Sequence, residues 1–378
     1  MNIAQELVET GHEVFVIVPE HRTVEGYLFP VRTIIFNNGE NKNPIVDFNF
    51  PCFTPHPLSN VVYEELTDFQ IQAYVQAWRQ VVNNAVAELR PDIIHSHHIW
   101  VASHVAYETG LPYLIHCHGT DLIGFRKARR YREMAITAAQ NAYGIIAVSR
   151  HMKAEAIKTY HLPEDKVHLI WNGFDAECFR VILDITTEEV KTEFGLIEVD
   201  KPLICFVSRL VEAKGIDILL RAAAIYEKVL SGVQTVLVGY GDLWDELHKL
   251  RQELDLVGVH FLGQLPQLEI ARILNVSDLL VMPSRDEAFG LAALEAMACG
   301  VPVVATNVGG LPDFVNEKVG TLVPIDDPES LAAAIITEIK NGTKKTKGVF
   351  ASQYALKNFT WARQVIEMTK LYENALSL

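Results

Sequence analysis

Two glutamates, Glu287 and Glu295, stand with seven residues between them in the stretch PSRDEAFGLAALEAMACGVPVVATNVGG, residues 283–310. A turn, Ala288-Phe289-Gly290, separates Glu287 from a run of small helix formers, LAALEAMA. A helix starting at Gly290 or Leu291 leaves its first N–H groups without intrahelical acceptors and carries a positive dipole end. Both features suit a phosphate. Glu287 falls at the rim of such a site. Glu295 falls on the helical face of Leu291, Leu294 and Ala298, where a carboxylate is costly unless something hydrogen-bonds it. A pair of sugar hydroxyls can do so. The spacing alone serves equally well a helix with one surface glutamate and one in a structural ion pair.

Two further features point at phosphate. Arg209 and Lys214 follow the apolar segment PLICFVS (202–208), at the carboxyl end of an expected strand, where open α/β sheets bind ligands. A guanidinium forks onto phosphate oxygens and a lysine adds a point charge; the alternative is two solvated loop cations. Gly239 and Gly241 flank the end of the segment TVLVG and allow close backbone approach, although a G-x-G is weak evidence by itself. All three features follow strands of one domain and therefore share one edge of its sheet. In the first half, His118 of HCHGTD ends another apolar segment and is expected to point into a cleft between two domains. His95, His97, His98, His104 and His116 lie near it in sequence. Alternation along a strand puts His95 and His97 on one face and His98 on the other. No carboxylate joins them at a ligand-like spacing, so these read as core or cleft histidines and no metal centre is expected. There is no G-x-S-x-G elbow, no Walker A motif and no G-x-G-x-x-G after the first strand, which weakens hydrolase, P-loop and dinucleotide readings.

The elements that must carry these residues alternate. A helix over 3–9 ends at Gly11 and is followed by the short apolar strand HEVFVIVP. After an irregular stretch, 37–60, come a long helix over 61–89 and strands at 91–98, 112–119, 143–149 and 166–173 with helices between them. A basic stretch, GFRKARRYREM, follows the second of these strands. Residues 175–200 are more polar and lack strand pattern, which places a linker there. Strands at 202–208, 235–239, 259–263, 278–284, 302–306 and 320–324 then alternate with helices, and TWARQVIEMTKLYENAL closes the chain. Short buried strands alternating with helices specify two doubly wound α/β domains.

Composition narrows the partners. The chain has 378 residues, 49% of them hydrophobic, enough for two ordinary cores. A net charge of −14 argues against nucleic acid as a partner. Five cysteines without a C-x-x-C pair suggest reduced thiols in a cytoplasmic compartment. No apolar run is long enough to span a bilayer, and the N-terminus has no signal-peptide pattern.

The motifs VSRLVEAKGID (207–217), LVGYGD (237–242), FLGQLP (261–266), DEAFGLAALEAMACGVPVVATNVGGLPD (286–313), AVSRHM (147–152), IWNGFD (170–175) and HCHGTD (116–121) together resemble the retaining glycosyltransferases of family 4, of the GT-B fold. The resemblance covers the chain from about Pro91 to its end. It implies an acceptor-side domain over 1–177 completed by 360–378, and a nucleotide-sugar domain over 178–359, with the last helix crossing back to the first domain. It implies that Arg209 and Lys214 bind the donor diphosphate and that Glu287 contacts the transferred sugar. The N–H groups of Phe289, Gly290 and Leu291 would hold phosphate and sugar, Glu295 the ribose, and the Leu265 backbone the base. His118 would reach the donor sugar. Family frequency favours a UDP-sugar, UDP-glucose first, with no cofactor and no metal required. Relative to the family's pattern, the chain opens one strand and one glycine-rich loop late, so either the start lies upstream or the first domain is incomplete.

The acceptor is expected to be a glycan or a lipid-linked oligosaccharide, read by loop 37–60 and region 121–132. Arg126, Lys127, Arg129 and Arg130 would dock anionic headgroups or a pyrophosphate-linked acceptor at the inner face of the membrane; a solvated helix face is the equal alternative. Two rival readings are a non-catalytic nucleotide-sugar binder and a UDP-sugar epimerase of the same fold.

Overall fold

The computed structural model describes residues 1–40, 44–54, 58–59, 61–196 and 198–377. The chain forms two compact units, residues 1–171 with 364–378, and residues 172–363.

In the first unit, α1 (Asn2–Glu9) leads to two parallel strands, β1 (Val16–Glu20) and β2 (Val31–Ile35). Then come α2 (Asp68–Leu89), β3 (Ile94–His97), α3 (Val101–Glu108), β4 (Tyr113–Cys117), α4 (Thr120–Lys127), α5 (Arg132–Asn141), β5 (Gly144–Ala147), α6 (Arg150–Tyr160) and β6 (Val167–Leu169). The strands β3-β4-β5-β6 form a parallel sheet in that order, separate from β1-β2. The helix expected over 61–89 begins instead at Asp68, because Thr67 and Gln70 close a capping box there; Tyr63–Glu65 is a single 3-10 turn. Tyr74, Trp78, Val81, Val82 and Ala85 form its buried stripe. Strand β2 was not expected: Arg32 and Thr33 interrupt its apolar pattern, yet Thr33 and Ile34 are both buried. The stretch 37–60 lies partly outside the described residues (41–43, 55–57 and 60). In its described part Phe48, Phe50 and Phe53 turn inward onto Phe36, Tyr63, Tyr74 and Trp100, which anchors a segment that lacks regular hydrogen bonding.

The second unit contains α7 (Thr187–Glu193), β7 (Leu203–Val207), α8 (Ile216–Tyr226), β8 (Gln234–Val238), α9 (Trp244–Glu253), β9 (Val259–Gly263), α10 (Gln267–Val276), β10 (Leu279–Met282), α11 (Leu291–Ala298), β11 (Val303–Thr306), β12 (Gly320–Val323), α12 (Pro328–Lys340) and α13 (Thr343–Asn358). Its parallel sheet runs β12-β11-β10-β7-β8-β9. Phe206, Leu219, Tyr226, Leu237, Leu279 and Val281 belong to one buried cluster on a face of this sheet. Helix α7, capped by Thr186, lies within the stretch read as linker. Helix α13 was also missed: its lysine-rich first turn carries no apolar stripe. It seats on the end of α11 through Gly348, Ala351 and Ser352, whose hydroxyl donates to the Ala298 carbonyl at 3.0 Å.

The last helix, α14 (Trp361–Leu376), begins in the second unit, and its residues from Gln364 onward belong to the first. There Val365, Met368 and Tyr372 bury against Leu7, Leu114, Ile146 and Ile170. No helix among the described residues is long and apolar enough to cross a membrane.

Candidate functional site

In the second unit the chain leaves β7 toward β8 on one side, and later fills the other side with β10. The strand order therefore reverses at the carboxyl ends of β7 and β10, the usual ligand position in an open α/β sheet. Arg209 and Lys214 follow β7, and Glu287 follows β10, so the three flank this point. The guanidinium of Arg209 is exposed and bonded to nothing among the described residues. Lys214 does have a partner: its Nζ donates to Glu287 Oε2 at 2.8 Å, with the two side chains 19% and 11% exposed. Ser284 Oγ donates to the same oxygen at 3.4 Å. Sequence spacing cannot show this pair, whose members are 73 residues apart.

The loops that carry the pair are locked together. Arg285 grips Asp217 through two bonds of 2.8 Å, Asp326 at 2.6 Å and the Glu212 carbonyl at 2.9 Å. Its own N–H donates to the Ala213 carbonyl at 2.8 Å. On the other flank, the Gly310 N–H donates to the Glu287 carbonyl at 3.0 Å. Gly309 adopts φ +58°, and a Cβ there would stand 1.7 Å from that carbonyl, so only glycine fits.

Gly239 and Gly241 make their close approach to protein backbone. A Cβ at Gly239 would lie 1.8 Å from the Ser208 carbonyl, and one at Gly241 would lie 2.4 Å from the Leu210 carbonyl. The loop after β8 thereby packs against the loop that holds Arg209, and the Leu210 N–H donates to the Tyr240 carbonyl at 3.1 Å. Leu265, in the turn after β9, is half-buried, and its backbone N–H and C=O are unbonded among the described residues.

Helix α11 has no side-chain N-cap. Phe289 is buried against Phe314, with ring centres 5.2 Å apart, and this anchors the turn just before the helix. The N–H groups of Phe289, Gly290 and Leu291 find no acceptor among the described residues, which leaves an anion-binding end open beside Glu287. Glu295 lies one turn further along. Leu294 and Ala298 beside it are buried, whereas Leu291 is exposed. Burial, reinforced by the Asp175 carboxylate, pushes Glu295 up to about 7. A carboxylate so disfavoured gains from any hydroxyl that donates to it.

In the first unit, His118 follows β4 and is half-buried. Its Nε2 shares a hydrogen bond of 2.8 Å with His97 Nδ1. The ring centres are 5.1 Å apart and the planes 10° apart, so the two imidazoles meet edge to edge in nearly one plane. His116 stacks on His118 at 4.4 Å, and His95 stacks on His97 at 4.9 Å. Burial and the neighbouring imidazoles hold His116 and His118 well below the usual histidine range, so both are neutral. Asp121 fixes the turn that presents His118: its carboxylate accepts from the Gly119 N–H at 2.8 Å and the Ile99 N–H at 3.0 Å. His104 stands apart from this group, 3.3 Å from Glu108.

The basic stretch is partly spoken for. Arg126 pairs with Glu155. Arg130 bonds Asp68 at 2.9 Å and the carbonyls of Glu64 and Leu66. Arg132 bonds the carbonyls of Phe125 and Arg126 at 2.7 and 3.0 Å and lies over the Phe125 ring. Lys127 and Arg129 are exposed.

Comparison with known proteins agrees with this architecture. Residues 1–177 match the profile of Glycosyltransferase Family 4, and residues 188–350 that of Glycosyl transferases group 1. The alpha-maltose-1-phosphate synthase of Mycolicibacterium smegmatis is 30% identical over 318 residues, 77% of this chain and 80% of that protein. A D-inositol 3-phosphate glycosyltransferase of Corynebacterium glutamicum is 28% identical over 309 residues, 76% and 73% of the two chains. Among solved structures, sucrose-phosphate synthase from Thermosynechococcus elongatus superposes with a TM-score of 0.77 at 23% identity, covering 99% of this chain and 92% of the other. The Anabaena protein HepE, solved with UDP and glucose, gives 0.70 at 24% identity over 90% and 85%. The chain belongs to the family 4 glycosyltransferases, with two Rossmann-like domains of the GT-B fold.

Proposed function

We propose that the protein is a retaining hexosyltransferase that takes its sugar from a nucleoside diphosphate sugar, UDP-glucose first, and passes it to a glycan or lipid-linked oligosaccharide. The observation that carries this reading is the convergence of Arg209, Lys214, Glu287 and the uncapped start of α11 on the switch point between β7 and β10. HepE, of the same fold, binds UDP and UDP-glucose, which supports the choice of donor.

In this reading the bond from the anomeric carbon to the diphosphate oxygen breaks, and the acceptor oxygen bonds to the same face of that carbon. Arg209, Lys214 and the N–H groups of Phe289, Gly290 and Leu291 stabilise the negative charge that grows on the departing diphosphate. The acceptor's proton passes to the departing phosphate oxygen, so no metal or further base is needed. Glu287 orients the hexose through its hydroxyls, and we assign His118 a role toward the sugar from the family resemblance alone. Glu295 accepts from the ribose, and the free backbone groups of Leu265 read the base. Lys127 and Arg129, exposed while Arg126 and Arg130 hold intrachain partners, are the cations available to an anionic acceptor or to headgroups at the cytoplasmic face of a membrane.

Calorimetric titration with UDP-, GDP- and ADP-sugars, without added metal, tests the reading. UDP-glucose is expected to bind at micromolar concentration. Arg209→Ala, which removes a side chain with no intrachain partner among the described residues, is expected to weaken binding at least about tenfold without altering stability. Binding of no nucleotide sugar, or equal binding by the variant, overturns it.

A further inference from the structure

Five imidazoles gather on neighbouring strands of the first unit, more than the sugar-transfer reading uses. His97 and His116 are register partners on β3 and β4. One nitrogen from each of His97, His116 and His118 lies within 4.8 Å of those of the other two. His116 is fully buried, and neither of its ring nitrogens has a hydrogen-bond partner. His95 Nε2 and His98 Nδ1 are buried without partners in the same group. Buried polar atoms are ordinarily satisfied, and the neutral His116 ring holds one N–H and one lone pair that are both unpartnered, so its lone pair is free for an acceptor at the point where the three rings meet. The adjacent carboxylate, Asp121, is committed to two backbone N–H groups.

We infer that His97, His116 and His118 form a binding site for a divalent transition-metal ion of the zinc class. The donor set is all imidazole, which suits Zn2+, Co2+, Ni2+ or Cu2+ and does not suit Mg2+ or Ca2+. Three neutral histidines leave a tetrahedral ion one open position. Ligand nitrogens about 2.0–2.1 Å from zinc stand roughly 3.3 Å from one another in that geometry. The three rings now lie nearly parallel, 10° to 17° apart, and His97 faces His118 across a 2.8 Å hydrogen bond, so taking up an ion breaks that bond and turns each ring about its side-chain bonds until the lone pairs converge. The proton now shared between His97 and His118 moves to the other nitrogen of its own ring, so no net proton is released. His97 is exposed and gives the ion its entry. Strand alternation along β3 could not reveal this set, because two of its three members come from β4 and the turn after it.

The site is not required for sugar transfer. Its consequence for activity rests on the role proposed for His118: an ion held there withdraws that side chain, so zinc is expected to inhibit and a chelator to restore activity. The binding itself is independent of that reading.

Titration of the intact chain with Co2+ and Zn2+, followed by calorimetry and by the visible absorption of tetrahedral Co2+, is the test. One equivalent is expected to bind at low micromolar concentration. His97→Ala should weaken that binding at least tenfold, and His116→Asn should do the same. His151→Ala, on the exposed side of α6, should leave it unchanged. His97 is exposed, so its variant reports even if the His116 variant misfolds. Absence of saturable binding, or binding that His97→Ala leaves intact, overturns the site. A chain that binds UDP-glucose but no metal refutes this inference alone; one that binds metal but no nucleotide sugar refutes the proposed function alone.

Discussion

Replacing Glu287 by glutamine separates the two charges at the centre of the candidate donor site. In the free protein Lys214 Nζ sits 2.8 Å from Glu287 Oε2, and both side chains are mostly shielded from water. At an effective dielectric near 20 the gross attraction at that distance is about 6 kcal/mol. Desolvation and side-chain ordering cancel much of it. Exposed pairs contribute about 0–1 kcal/mol, and breaking a fully buried pair costs about 3–5 kcal/mol. A shielded pair open at one edge falls between these, so Glu287→Gln is expected to lower stability by about 1–3 kcal/mol. Ligand affinity should move the other way. The ammonium of Lys214 is no longer neutralised, so a bare UDP meets one more positive charge and should bind about threefold to tenfold more tightly, roughly 0.6–1.4 kcal/mol. Transfer should nevertheless fall by about a hundredfold or more if, as proposed, that carboxylate orients the sugar. Lys214→Met should instead weaken UDP binding. Urea unfolding, UDP calorimetry and initial transfer rates measure the three quantities. The reasoning fails if Glu287→Gln weakens UDP as much as Lys214→Met, or if it transfers sugar at the wild-type rate.

Glu295 gives a pH signature. Its carboxyl is raised from 4.5 to about 7, so the stability of the folded state is intact below pH 4.5 and is lost progressively as pH rises through 7. Relative to wild type, Glu295→Gln should show no gain near pH 4.5 and a gain of roughly 3 kcal/mol above pH 8; denaturant midpoints at pH 5 and 8 test this, and a pH-independent difference would falsify it. Gly309→Ala should destabilise the protein by at least about 3 kcal/mol and abolish UDP binding, since its Cβ meets the Glu287 carbonyl in a left-handed conformation. A soluble alanine variant with normal UDP affinity would show that the Glu287 loop tolerates displacement.

The strands were legible where they are buried on both faces. β4, β5, β7, β8, β10 and β11 are short, almost wholly apolar runs, and such runs belong to parallel sheets. Elements that hide their apolar face were not. β2 carries Arg32 beside Thr33, and only its packing makes it a strand. Helix α13 buries small residues, Gly348, Ala351, Ser352 and Ala355, against α11. Close packing through small side chains leaves no hydrophobic period to read. Helix α4 was legible only as one of two equal readings of Arg126 and Lys127, a helix face or a ligand surface; Leu122 and Gly124, buried on its other side, make it a helix.

The candidate site divides by the same logic. Features local to one loop were readable: an uncapped helix start before LAALEAMA, cations after a strand, glycines at a strand end. Features created by strand order were not, because they join residues far apart in sequence. Lys214 meets Glu287 only because β10 lies beside β7, and Arg285 reaches Asp217 for the same reason. The two glycines of LVGYGD illustrate the difference in kind. Read locally, they offer backbone to a ligand; in the sheet they offer it to Ser208 and Leu210, and so set where Arg209 can stand. Their chemistry is to bring one loop against another, and the arginine between them and the switch point carries the charge. A substitution at either glycine should therefore behave as a displaced Arg209, losing diphosphate affinity while the anion-binding end of α11 remains intact.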